Sequence, residues 1–142
     1  MVVKQVSVLL PNVPATLSRL TAILDGEGIT PKAMLQASTA EKSMVRLVVN
    51  DPDRAASILK TFNYDYEITP VLAVEVPIHP GGMHAILKPL AAAEINIHYL
   101  YTTINRIGRE TIVILGVDKI DEAIRILRQN WITLVGEEIY SI

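Results

Sequence analysis

The residues best suited to binding chemistry lie in two short turns, Asn12-Val13-Pro14-Ala15-Thr16 and Ile78-His79-Pro80-Gly81-Gly82. Each turn follows an apolar run and leads into an amphipathic segment, so each is predicted to join a strand to a helix. The N-terminus of a helix offers unpaired N–H groups and a positive dipole end, which suit a carboxylate. Gly81 and Gly82 lack side chains and would let a ligand approach the backbone. A tight turn with a helix cap needs the same residues, so the pattern leaves a purely structural role equally open.

Other kinds of site have little support in the sequence. Cysteine is absent, which excludes thiolate catalysis, disulfides and zinc–thiolate centres. The three histidines, His79, His84 and His98, lack the spacing of helical metal ligands, and no carboxylate cluster accompanies them. No serine has the glycine pattern of a nucleophile elbow, and the acidic residues fall mainly at predicted helix starts and turns. We therefore expect no metal, no cofactor and no enzymatic activity.

The two turns belong to a unit that occurs twice, and such a repeat determines the architecture. The offset between copies is 66 positions in the first part of the unit, as from Pro14 to Pro80. It becomes 68 positions later, as from Asp53 to Asp121. This change places a two-residue insertion in the predicted strand–strand turn at residues 105–108 of the second copy.

Each copy is predicted to have the order β-α-β-β-α-β. Strands are expected at residues 4–10, 29–38, 42–50 and 64–68, then at 71–77, 95–103, 110–118 and 131–135. Asn12 and Asp51 are the expected caps of the first two helices, with Pro14 and Pro52 in their first turns. Helical stripes end at Leu24 and Phe62 in the first copy and at residues 90 and 127 in the second. The division falls at Pro70 and gives domains 1–70 and 71–142.

This order predicts an α+β fold of two tandem ferredoxin-like units, each an antiparallel sheet with helices on one face, the sheets paired into a joint sheet. The other face should then be polar, but residues 111–117 are apolar in both alternating sets and residues 44–49 are polar only at Arg46. Half of all residues are apolar. We therefore expect a second copy of the chain to cover this face in a homo-oligomer, such as a dimer.

Charge and composition exclude several classes of partner. A net charge of −2 and an aromatic content of 5% argue against a nucleic-acid surface, which needs basic patches and stacking side chains. The sequence has no apolar run long enough to cross a membrane, and residues 1–10 lack the layout of a signal peptide. A cytoplasmic protein is expected.

The turns and their flanking strands resemble the ACT domain family, specifically the stand-alone tandem ACT proteins. The motifs that carry this resemblance are Asn12-Val13-Pro14-Ala15-Thr16-Leu17 with Gly28-Ile29-Thr30, and Ile78-His79-Pro80-Gly81-Gly82-Met83 with Glu94-Ile95-Asn96-Ile97. The likeness extends over essentially the whole chain. It implies a non-catalytic regulatory protein that binds a free amino acid at the interface between two ACT units.

The resemblance also implies which residues bind the ligand. In amino-acid-binding ACT domains an Asn before the Pro-Gly turn and an Asn opening the next strand hold the ligand. Asn12 fills the first role, but Ile78 replaces it in the second copy, whereas Asn96 fills the second role and Thr30 replaces it in the first copy. The implied site is therefore a single one, and its residues are Asn12, Val13, Pro14, Ala15, Thr16, Gly81, Gly82 and Asn96. Ala15 departs from the family's preferred Gly.

Two functions from different classes stay open at this point. The first is an amino-acid sensor that regulates a separately encoded metabolic enzyme, since no catalytic constellation is present. The second is a structural protein–protein interaction module with a vestigial ligand pocket, which the lost amides at Thr30 and Ile78 would explain. An enzyme of ferredoxin-like fold is disfavoured.

Overall fold

A computed structural model of the chain describes residues 2–104 and 110–142. The chain forms two compact units, one made of residues 4–69 with 140–142, the other of residues 70–139 with residues 2–3. Both units combine antiparallel strands with two helices, as expected for tandem ferredoxin-like units. The domain limits of 1–70 and 71–142 stay a prediction. The turn at residues 105–108, with its predicted insertion, lies outside the described residues.

The first unit contains β1 (Val3–Pro11), α1 (Thr16–Gly26), β2 (Pro31–Ser38), β3 (Lys42–Val49) and α2 (Pro52–Thr61). Both β1 and β2 pair antiparallel with β3, with Val8 opposite Val45 and Met34 opposite Leu47. The predicted cap of α2 is confirmed, because the Asp51 side chain accepts a hydrogen bond from the Arg54 backbone at 3.1 Å. Phe62 is half exposed, not buried as its helical spacing predicts, because α2 ends one residue before it.

The next strand, β4 (Asp65–Glu75), corrects the prediction of two strands that end and begin around Pro70. A single extended strand runs through this proline. Proline fixes φ at a value that extended backbone accepts, and it removes only one backbone donor. A proline therefore ends a helix more reliably than it ends a strand.

The second unit contains α3 (Gly82–Ala92), β5 (Ile97–Thr102), β6 (Ile112–Val117), α4 (Ile120–Gln129), β7 (Leu134–Val135) and a final 3-10 helix (Glu137–Ser141). Strand β6 pairs antiparallel with β4 and β5, and β7 pairs with β4. The last strand is shorter than the predicted 131–135, because Trp131 adopts a φ of +61° at the end of α4. Pro89 lies inside α3.

Each unit has its own core between its helices and one face of its sheet. In the first unit the core contains the buried residues Val6, Val8, Leu10, Leu20, Leu24, Val45, Leu47, Ala55, Ile58 and Leu59. In the second it contains Leu72, Val74, Ile86, Leu90, Val113, Leu115, Ala123, Ile124 and Leu127. These residues recur at helical and strand periods, which is why the sequence predicts both cores.

Several side chains on the opposite face of each sheet are also buried within the single chain. Ile114 alternates with the core residues Val113 and Leu115 on β6 and is fully buried. Gln5 and Ser7 alternate with the core residues of β1 and are also buried. Met44 and Arg46, on the same face of the first sheet, are only half-buried. That a second copy of the chain covers this face therefore stays a prediction, as does the oligomeric state.

Glu75, at the end of β4, makes the stability of the folded protein depend on pH. Burial raises the pKa of the Glu75 carboxyl, and a side-chain hydrogen bond and the charge of Glu110 raise it further. Because its pKa is higher in the folded than in the unfolded state, the stability that this group contributes is present at low pH and lost as pH rises through the folded-state pKa.

We expect the melting temperature to include a gain as the pH falls from neutral toward the ordinary carboxyl pKa of 4.5. Glu75→Gln should abolish this gain because glutamine keeps a hydrogen bond to Glu110 without the charge. Thermal melts of both proteins across this range measure the difference. Exposed Glu67 lies on the same strand, and Glu67→Gln is the control for a simple change in net charge. An unchanged pH profile in Glu75→Gln would contradict the assignment.

Candidate functional site

The turn between β1 and α1 is held by its own backbone and by the Thr16 hydroxyl. The Val13 N–H donates to the Pro11 carbonyl at 2.9 Å, and Thr16 Oγ1 lies 3.2 Å from the Pro11 carbonyl and 3.1 Å from that of Val13. Ala15 is the residue that precedes the helix, and its φ of +73° is left-handed. The prediction that Asn12 caps α1 and that Pro14 lies in its first turn is therefore wrong, because α1 begins at Thr16.

Asn12 instead joins this turn to the turn between β2 and β3. Its backbone N–H donates to the Glu41 carbonyl at 2.9 Å, and its amide Nδ2 donates to the Thr39 carbonyl at 3.1 Å. Its Oδ1 accepts a long hydrogen bond of 3.5 Å from the Ser43 hydroxyl. A carbonyl oxygen can accept two hydrogen bonds, so Oδ1 retains capacity for a further donor.

A cluster of neutral polar side chains extends from Asn12 along β2 and β3. Buried Ser43 lies 2.7 Å from the Ser38 hydroxyl and 3.2 Å from Gln36 Nε2. The sequence analysis did not single out these residues, although polar residues at alternate positions of a strand were a usable signal. The corresponding positions of the second copy hold Thr102, Ile104 and Thr111, so the glutamine and both serines of this cluster are not repeated there.

The turn before α3 has a similar backbone but different side chains. The His79 N–H donates to the Pro77 carbonyl at 3.1 Å, as Val13 does to Pro11, and Gly81 has a left-handed φ of +86°. A Cβ on Gly82 would lie 2.2 Å from the Pro77 carbonyl oxygen, whereas one on Gly81 would meet no atom within 4 Å. The close approach that Gly82 permits is therefore made by the chain itself. Exposed Ile78 supplies no polar group.

Asn96 opens the segment that leads into β5. Its backbone N–H donates to Asp118 Oδ1 at 3.0 Å, and its carbonyl accepts from the Asp118 N–H at 3.2 Å. Thr30 and Asn50 make the same pair of bonds in the first unit, at 2.7 and 3.1 Å. This equivalence supports the alignment of the copies and the change of offset from 66 to 68. Both bonds use the Asn96 backbone and not its amide.

The N-termini of α1 and α3 differ electrostatically from those of the other two helices. Neither α1 nor α3 has a side-chain cap or an acidic residue in its first turn. Helix α2 has the Asp51 cap with Asp53 in its first turn, and α4 has Asp121 and Glu122. The chain therefore compensates the positive dipole ends of α2 and α4 but leaves those at the two candidate turns uncompensated.

The predicted site residues fall into two groups. Residues 12–16 form one continuous turn of the first unit, and Gly81, Gly82 and Asn96 belong to the second unit. Within residues 2–104 and 110–142 there is no group of three or more His, Asp or Glu side chains able to hold a metal ion. In the same part of the chain, no helix has the length and apolar character to cross a membrane.

Replacing Ala15 by glycine should stabilise the protein by about 0.5–1 kcal/mol. A left-handed residue with a Cβ is strained by about 1–2 kcal/mol, and the greater freedom of glycine in the unfolded chain offsets part of that relief. Urea unfolding measures the change. Gly81→Ala, at the corresponding position of the second copy, is the reciprocal control and should be destabilising by a similar amount. A loss of stability in Ala15→Gly would contradict the left-handed assignment.

Comparison with known proteins places these observations in a family. A family model of the ACT domain pair matches residues 1–141. The solved structure of protein BT0572 from Bacteroides thetaiotaomicron is similar with a TM-score of 0.92 and 29% identity, over 100% of this chain and 98% of that one. A search of curated proteins gives no match.

Two further structures share the fold at lower identity. The ligand-free regulatory subunit of aspartate kinase from Thermus thermophilus has a TM-score of 0.63 and 16% identity, over 89% of this chain and 91% of that one. The corresponding subunit from Thermus flavus has a TM-score of 0.60 and 16% identity, over 90% and 92% of the two chains.

Proposed function

The chain belongs to the ACT domain pair family, and from that premise we propose that it is a non-catalytic regulatory protein that binds a free amino acid. The ligand carboxylate binds at the backbone of the turn formed by residues 12–16, at the N-terminus of α1. The bound state is communicated to a separately encoded enzyme. The solved neighbours described as regulatory subunits of aspartate kinase share only the fold at 16% identity, so the identity of that enzyme stays open.

The observation that carries this proposal is the uncompensated N-terminus of α1. Its first N–H groups lack intrahelical partners, Ala15 provides no side-chain cap, and no acidic residue occupies its first turn. A carboxylate can accept hydrogen bonds from these N–H groups and interacts favourably with the positive end of the helix. At the opening of α2, by contrast, the Asp51 carboxylate already accepts a hydrogen bond from the Arg54 N–H.

The side chains around the turn favour a ligand that carries both charges of a zwitterion. Asn12 Oδ1 retains acceptor capacity and suits an ammonium group. Gln36 and Ser38 are exposed, neutral and hydrogen-bonded to buried Ser43, so they suit a small or uncharged polar ligand side chain. The equivalent turn of the second copy has Ile78 in place of Asn12. We therefore propose one amino-acid site per chain, to which the Asn96 amide also contributes.

A thermal-shift screen against the twenty amino acids tests the proposal. A ligand that binds only the folded protein at about 100 times its Kd adds about 2.7 kcal/mol, which should raise the melting temperature by about 5–10 °C. For each hit, the same compound with its carboxylate converted to a carboxamide is the matched control and should have little effect. No shift with any amino acid would overturn the proposal in favour of the structural interaction module.

A further inference from the structure

Trp131 is the only tryptophan of the sequence, and its side chain is almost completely exposed, at 94%. It lies two residues beyond the end of α4, after Asn130, with a left-handed φ of +61°, and its N–H donates to the Arg128 carbonyl at 3.1 Å. The residue after a helix often adopts this conformation, and Gly or Asn usually occupies it. Asn63 occupies the corresponding position after α2, with a φ of +60°.

The folding of its own unit therefore does not explain a tryptophan at this position. A bulky residue in the left-handed region strains the backbone, and an exposed indole leaves a large apolar surface in water. In the first copy, Asn63 adopts the same backbone conformation without a bulky strained side chain and without an exposed apolar surface. Glu94 adopts the same left-handed conformation after α3, so the feature particular to position 131 is the exposed indole. A large exposed aromatic side chain that the unit does not need for packing indicates a role outside that packing.

An apolar groove lies beside Trp131, between α3 and α4. Its volume is about 710 Å³, and it is lined mainly by small or aliphatic residues, among them Ala85, Pro89, Ala92, Ala93, Ile126 and Ile132, together with the charged Lys88. Asn130 also lines it, so both chain neighbours of Trp131 lie at its edge. One surface of the second unit thus carries an exposed aromatic side chain next to a groove large enough to accept one.

We propose that this surface is the contact between two copies of the chain, with Trp131 of each copy inserted in the groove of the other. In a dimer with two-fold symmetry the same surface of each copy forms the interface. A protruding side chain and a groove on that surface can therefore both be filled at once, and the dimer is closed. Each tryptophan buries about 150–250 Å² together with a similar area of groove, so two such contacts bury roughly 600–1,000 Å². That is below the usual 1,200–2,000 Å² of a stable complex, so the dimer is weak and reversible.

The emission of the single tryptophan tests the proposal directly. Fluorescence of the full chain over roughly 0.1 to 500 μM, alongside sedimentation velocity, should show a blue shift of emission that follows dimer formation with a Kd of micromolar or weaker. A monomer at all concentrations with unshifted emission would overturn the proposal and leave a different protein as the partner of the groove. A dimer whose emission stays that of an exposed indole would also overturn it.

Three variants separate the dimer contact from the fold. Trp131→Asn installs the residue that the first copy uses, so the melting temperature of the monomer should rise by about 2–4 °C while dimerisation weakens at least tenfold. Ala92→Glu places a charge in the groove at an exposed position and should also prevent the shift in emission. Exposed Ala91 is not among the residues that line the groove, and Ala91→Glu should dimerise normally. Normal dimerisation of either Trp131→Asn or Ala92→Glu would overturn the proposal.

Discussion

Gly82→Ala is expected to destabilise the protein by roughly 3 kcal/mol. The added Cβ would lie 2.2 Å from the Pro77 carbonyl oxygen, a backbone atom that cannot turn away as a side chain could. Overpacking against a rigid neighbour typically destabilises by 1–3 kcal/mol or slightly more. Urea unfolding followed by circular dichroism measures the change.

The sign of the effect at Gly82 distinguishes this contact from general helix propensity. Gly82 is the first residue of α3 and has no left-handed φ, so without the contact an alanine would favour the helix by up to about 1 kcal/mol. Gly81→Ala is the neighbouring control, where only backbone strain of about 1 kcal/mol is expected because no atom lies within 4 Å. Equal or greater stability in Gly82→Ala would show that the Pro77 carbonyl is not held in this position.

Truncation of either amide should weaken amino-acid binding by about 10- to 100-fold. In the proposed site, Asn12→Ala and Asn96→Ala would each remove one hydrogen bond to a charged group of the ligand, and such bonds contribute about 1.5–3 kcal/mol. Titration calorimetry with the best ligand of the screen measures the affinity. Ile78→Ala and Thr30→Ala alter the corresponding positions of the other copy and should leave it unchanged. Unchanged affinity in both asparagine variants would contradict the assigned roles.

Asn12 requires an additional measurement because its amide also binds the Thr39 carbonyl at 3.1 Å. Loss of that bond should lower stability by about 1 kcal/mol, so the melting temperature of the ligand-free variant separates a loosened turn from a lost ligand contact. The double variant tests whether Asn12 and Asn96 act on one ligand. If they do, their effects on affinity should be non-additive, whereas additive effects would indicate independent roles.

The N-termini of α1 and α2 show which caps can be predicted from the sequence and which cannot. Asp51 and Asn12 both precede a proline and an amphipathic run, and the same rule predicts both as caps. Asp51 is a cap because the N–H group that donates to its carboxylate belongs to Arg54, only three residues along the chain. Asn12 is not, because the carbonyls of Thr39 and Glu41 reach it from a turn more than 25 residues away. A capping rule that considers only neighbouring residues cannot take such distant hydrogen-bond partners into account.

Burial of the sheet face opposite the core is a second case in which the sequence predicts only part of the outcome. Alternation along residues 111–117 predicts that both faces of β6 are covered, and Val113 and Ile114 are both fully buried. The pattern requires burial but does not state whether the same chain or another copy provides it. The single chain provides it here. The groove beside Trp131, in contrast, is apolar surface that no periodicity in the sequence indicates.

The sequence by itself determined the repeat, the order of the elements, the two cores and the unequal distribution of asparagines, because each follows from residue types at fixed spacing. Only the tertiary structure decided that Pro77 fills the space beside Gly82, that Asn12 joins two turns and that Ser43 organises a polar cluster. Periodicity states which face of an element a residue occupies. It does not state which atom from a distant part of the chain meets that residue, and hydrogen bonds and steric contacts depend on those atoms.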